Sequence, residues 1–245
     1  MTSPTGSVDT PRNETHHPRT GTAAGVAAGA GWGVPAALIV LSLIPVIAGS
    51  LRVLEIAGGP QLLPVNPRID AVPTPVVLHI IAAAFYAVLG SLQFSTRLRR
   101  HRPNWHRKSG RLLVGAGMVV ALTGLWMTVS YTGAPGGDLL WAVRILVGSA
   151  MAASIVLGFT AIRRRDITAH RAWMTRGYAL AVAAGTQAFT QGAGEALFGT
   201  SQLSTAVSIS SGWMINAAVA EWVIRRPATR RARRARTHAA LLGPR

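Results

Sequence analysis

His79, Arg144 and Glu195 stand inside or at the edge of stretches that are otherwise without charge. An imidazole, a guanidinium and a carboxylate are the groups that bind ions and move protons, and ionisable residues in apolar runs are expensive enough to point to function. His79 heads a series with Tyr86 and Gln93 at intervals of seven, which is one face of a helix. Glu195 closes a series with Gln187 and Gln191 at intervals of four, again one face. The chemistry implied is binding of a small molecule, a quinone or a proton, with Arg144 and Glu195 as charge partners and His79 as the titrating group. The plainer reading is an Arg–Glu pair that only holds helices together beside a hydrogen-bonded histidine.

The elements that must position these residues follow from where charge is missing. Uncharged stretches of 32, 26, 26, 18, 18 and 25 residues follow Arg19, Asp70, Arg111, Arg144, Arg176 and Glu195. A membrane-spanning helix needs about 20 mostly apolar residues. The pattern predicts an all-α polytopic bundle of six spans, near 33–53, 75–96, 112–131, 139–162, 174–197 and 205–224. A membrane barrel would alternate in polarity every second residue, and Leu112–Val120 and Ala179–Ala184 do not. Residues 1–30, rich in Thr, Ser, Gly, Pro and Ala and carrying His16 and His17, read as a disordered tail rather than a secretory signal. The organisation expected is a tail over 1–30, a membrane domain over 31–224 and a basic tail over 225–245.

Composition agrees. The 245 residues are 49% hydrophobic and 13% charged, with a mean hydropathy of +0.33. A soluble domain carries about 25% charge. The absence of cysteine excludes disulfides, thiolate nucleophiles, iron–sulfur clusters and cysteine zinc sites. The formal net charge of +17 is concentrated in 97–111, 163–176 and the tail from Arg225, while Arg68 is the only base in 55–74. Basic loops stay in the cytoplasm, so both termini are expected inside a bacterial inner membrane. His79, Arg144 and Glu195 then form one layer in the outer half. The basic tail lacks interleaved aromatics and directly follows a span, so its partner is expected to be anionic lipid rather than nucleic acid. Oligomeric state is not legible.

Small residues recur every four positions in two spans, at Ala150, Ser154 and Gly158 and at Ala184, Ala188 and Gly192, and are expected to let helices approach closely. At the inner face, His106-Arg107 with Arg111 and His170-Arg171 with Arg176 recur 64 residues apart, which suggests a duplicated two-helix unit. His106 and His170 lie at one depth and could ligate b-type haem, although their surroundings are rich in arginine. His79 is the only histidine inside a span, with Met127 the nearest thing to a second ligand. No cofactor or metal is expected on the balance of these residues. No zinc-protease, phosphate-loop or serine-hydrolase motif occurs, so nothing marks the chain as an enzyme. In the last span, Trp213, Asn216 and Glu221 read as helix glue and a partner for Arg225.

The run His79…Gly90-Ser-Leu-Gln93-Phe94, then His106-Arg107-Lys-Ser-Gly110-Arg111, resembles a family of bacterial membrane proteins, domain of unknown function 2306. The stretch His170-Arg171-Ala-Trp173-Met174-Thr-Arg176-Gly-Tyr178 is similar to its second hallmark, and Trp213…Asn216…Glu221 to its last-span pattern. The resemblance covers about 75–224 and implies a helical membrane protein without an assigned activity. Where the family often has arginine in the fifth span, this chain has Gln187. The leading functional expectation is a small-molecule transporter or binding protein. The alternatives are a redox protein holding haem or quinone, at His106 and His170 or near His79, and a non-catalytic accessory protein.

Overall fold

A computed structural model describes the backbone of residues 32–242, and side chains to Arg226 apart from that of Asp70. The expected N-terminal tail and His16–His17 lie outside the described residues. Every regular element within them is helical: α1 Gly33–Ile56, α2 Pro67–Asp70, α3 Thr74–Leu92, α4 Thr96–His101, α5 Pro103–Ser130, α6 Gly137–Arg163, α7 Ile167–Ala181, α8 Ala183–Phe198 and α9 Gln202–Leu242. Five are long and apolar enough to cross a membrane: α1, α3, α5, α6 and the Gln202–Arg226 part of α9. Their outward faces carry large apolar side chains, with Leu146 68% and Met214 71% exposed. Soluble monomers rarely leave such surface bare over long stretches, and here hydrocarbon is its natural solvent.

The fifth expected span is not one helix. It is interrupted at Val182, which separates α7 from α8. Neither proline nor positive-φ glycine marks this point. The cause lies in a neighbour. Asn216 of α9, only 9% exposed, donates its amide to the Ala179 carbonyl at 3.0 Å and accepts from Thr186 Oγ1 at 2.8 Å. One side chain thus bridges the two half-helices, and a side chain entering the helical ladder is a recognised cause of a kink.

The basic segment 97–111 is more helical than expected. Ser95 caps α4 by accepting from the Leu98 amide, and Pro103 opens α5 nine residues before the predicted span. Asp166 caps α7 by accepting from the Ala169 amide at 2.9 Å. His106 and His170 each become the fourth residue of their helices. The helices α4, α7 and the α5 start therefore share one basic end, and the connections 57–73 and 131–136 lie at the other.

Close packing uses small residues, though not all of those expected. Gly158 of α6 meets Met174 and Trp173 of α7, and Gly177 faces Ser154, as the spacing in the fourth span predicts. In α8 the contacts are made by Gly185 and Gly194, whereas Gly192 faces open space and Ala184 is exposed. Gly185 abuts the Leu41 carbonyl of α1. Pro45 has no N–H, so that carbonyl lacks its helical donor. The core, with Tyr86, Leu113, Val120, Met151, Ile155 and Tyr178, lies where α3, α5, α6 and α7 converge.

Candidate functional site

A cavity of about 320 Å³ opens among α3, α5, α6, α7, α8 and α9 towards the end away from the basic segments. Its polar wall consists of Arg68, His79, Thr128, Tyr131, Arg144 and Gln187. Its apolar wall includes Val120, Met127, Met151 and Leu180. Leu180, Ala181 and Ala184, which flank the break at Val182, belong to the wall as well. Irregular backbone at membrane depth is tolerated where it is buried or lines a cavity, and interrupted helices mark the sites of many transporters.

Each polar residue is held by its own element. His79 Nδ1 lies 3.0 Å from Thr123 Oγ1 of α5. The Thr123 hydroxyl spends its single proton on the Val119 carbonyl at 2.6 Å. The histidine must therefore donate from Nδ1, which leaves a lone pair on Nε2. Gln187 donates from Nε2 to the Ile209 carbonyl of α9 at 3.1 Å, with Gly212 admitting its stem. Tyr131 donates to the Val72 carbonyl at 2.6 Å and packs edge-on to Trp126, tying the end of α5 to the segment that carries Arg68. Partial burial raises the Tyr131 phenol above its ordinary range, so it stays a donor at neutral pH. Arg68 donates to Asn66 Oδ1 at 3.1 Å. Among the described residues, no carboxylate pairs with Arg144 or Arg68.

Of the six candidate binding residues His79, Tyr86, Arg144, Gln187, Gln191 and Glu195, the structure brings His79, Arg144 and Gln187 to one cavity and leaves the other three elsewhere. Tyr86 is buried against Gly117 and the Tyr178 ring, 5.7 Å between centroids. Gln191 and Glu195 bond to each other at 2.9 Å on an exposed face of α8. The expected Arg144–Glu195 pair does not form. The two helix faces do not oppose one another either, because the His79–Tyr86–Gln93 face packs on α5 and Gln93 donates to Ser109 Oγ at 2.8 Å.

At the basic end, Arg176 of α7 and Glu221 of α9 form a two-pronged ion pair at 2.5 and 3.2 Å, with Arg225 joining at 3.3 Å. Arg176 also lies over the Trp173 ring, 4.6 Å from its centroid. Arg107, Arg111 and Arg171 are exposed. Burial, then the charges of Arg171 and Arg100, hold the Arg99 guanidinium below its ordinary value, which shows how crowded with cations this end is. His170 Nδ1 lies 2.8 Å from the Gly158 carbonyl. A carbonyl only accepts, so Nδ1 carries the proton and Nε2 is free to act as a ligand. His106 lies within electrostatic reach of His170 and Arg99. Among the described residues no three His, Asp or Glu side chains cluster to hold a metal ion.

Sequence reasoning passed over Arg68 and Tyr131. Arg68 did carry a signal, as the lone base of the 55–74 connection. Tyr131 carried none, because its partner is a backbone carbonyl 59 residues away. Arg52 and Glu55 were also missed. They pair at 2.7 Å and clamp the following connection through the Leu62 and Leu63 amides and the Pro64 carbonyl.

Residues 76–224, more than half of the chain, match the model of the family described as predicted membrane protein DUF2306, and the chain belongs to that family. No curated protein and no solved structure matches it. The residues that carried the family resemblance mostly join helices: Gly90 receives the Tyr178 ring, Tyr178 donates to the Ala87 carbonyl at 2.6 Å, and Arg176 meets Glu221.

Proposed function

Starting from membership of this membrane-protein family, we propose that the chain binds a small solute in the cavity between Arg68, His79, Arg144 and Gln187 and carries it across a bacterial cytoplasmic membrane. The observation that supports this reading best is the helix break at Val182, whose flanking residues Leu180, Ala181 and Ala184 wall the cavity. A break there costs backbone hydrogen bonds, and a solute site is the use membrane proteins commonly make of one. The volume falls at the lower end of the range of small-molecule sites, about 300–1,000 Å³. By the positive-inside rule the basic end faces the cytoplasm and contacts anionic lipid headgroups there, so the cavity opens to the outer side.

The chain has no cysteine, so a single thiol can report on the cavity. Ala184→Cys is expected to react with an impermeant sulfonatoethyl thiosulfonate applied outside intact cells. Leu146→Cys, whose position faces hydrocarbon, is the silent control. Reaction from the cytoplasmic side as well, in inverted vesicles, supports alternating access. A thiol at 184 that reacts from neither side overturns the reading.

A second reading keeps one specific observation. His170 is held through Nδ1 with Nε2 left over, within electrostatic reach of His106, as a haem ligand would be held. A Soret band in protein purified from haem-supplied cells, lost in His170→Ala, would favour a redox role. A featureless spectrum from folded protein would end it.

A further inference from the structure

We infer that the ligand of this cavity is an organic acid, an oxyanion head on an apolar body, held at its head by Arg144 and Arg68. The inference rests on the cavity's being a solute site, as proposed above. Arg144 projects from α6 into a cavity within the apolar part of the bundle, and guanidinium stays charged there. A charge so placed needs a counter-charge, and no carboxylate of the described residues supplies one. Arg68 lines the same cavity as Arg144. Two guanidiniums that pair with no carboxylate among the described residues suit an anion, and their planar forks match carboxylate and phosphate oxygens.

The remaining wall decides against a bare inorganic ion. Val120, Met127, Val147, Met151, Leu180 and Trp213 offer apolar surface that a chloride or phosphate ion would leave uncovered, and an aromatic or aliphatic body would fill.

The test uses protection of the Ala184→Cys thiol in the intact protein. Benzoate is expected to slow labelling, and its neutral isostere benzamide is not. Phenyl phosphate beside benzoate distinguishes the two kinds of head, and inorganic phosphate alone is expected to protect poorly. Arg144→Gln should weaken benzoate protection about tenfold or more, as loss of a charge-assisted contact does. If that variant fails to insert, Arg68→Gln serves. Val147→Cys, elsewhere on the wall, repeats the reading should the thiol at 184 disturb the helix break. Equal protection by benzoate and benzamide, or none by either anion at a thiol that does react, overturns the organic-acid assignment and leaves a solute cavity standing. A cavity that no reagent reaches overturns both.

Discussion

Asn216 on α9 donates its side-chain amide to the carbonyl of Ala179 on α7, three residues before the chain breaks at Val182. The same side chain accepts from Thr186 on α8, so one residue holds both half-helices at their junction beside the cavity. The break is therefore a tertiary feature, built by a neighbouring helix.

Asn216→Leu should lower stability in detergent by about 1–2 kcal/mol, since it removes two interhelical bonds and strands a buried carbonyl. Thr186→Val removes only one of those bonds and should cost clearly less. Thermal unfolding of the two variants compares them directly. Equal losses would mean that the Ala179 contact contributes nothing.

Gly185 and Gly192 lie two turns apart on α8 and should respond oppositely to alanine. A methyl on Gly185 would run into the Leu41 carbonyl, whereas Gly192 has no neighbour within 4 Å. Gly185→Ala is expected to cost about 1–3 kcal/mol through overpacking. Gly192→Ala should be neutral or stabilising by a fraction of 1 kcal/mol, because alanine suits a helix interior better. If both substitutions are tolerated alike, α1 and α8 do not approach in this way.

The Arg176–Glu221 pair should contribute modestly despite its two-pronged geometry. Its side chains are 30% and 33% exposed, and solvent screens such pairs. A double-mutant cycle with Arg176→Gln and Glu221→Gln is expected to return a coupling of about 1 kcal/mol or less, shrinking with added salt. A coupling of several kcal/mol, insensitive to salt, would show that this end is far drier than its exposure indicates.

What could be read without the structure was set by solvent. Hydrocarbon forbids unpaired backbone and charge over a fixed thickness, so runs without charge locate helices, and α1, α3, α5, α6 and the apolar part of α9 fall where the runs predict. The basic segments and the family motifs were equally legible, being local in the chain. Which polar groups meet was not. His79, Arg144 and Gln187 share a cavity, yet Glu195 at similar depth turns outward to Gln191, because position along a span says nothing of its rotation about the bundle. Arg68 reaches the cavity from a connection whose path depends on the Arg52–Glu55 clamp and the Tyr131–Val72 bond. The break at Val182 needs a side chain from 34 residues further on. Depth follows from one-dimensional apolar pattern, whereas rotation, kinks and long-range contacts come from packing among helices, and only the tertiary structure decides those.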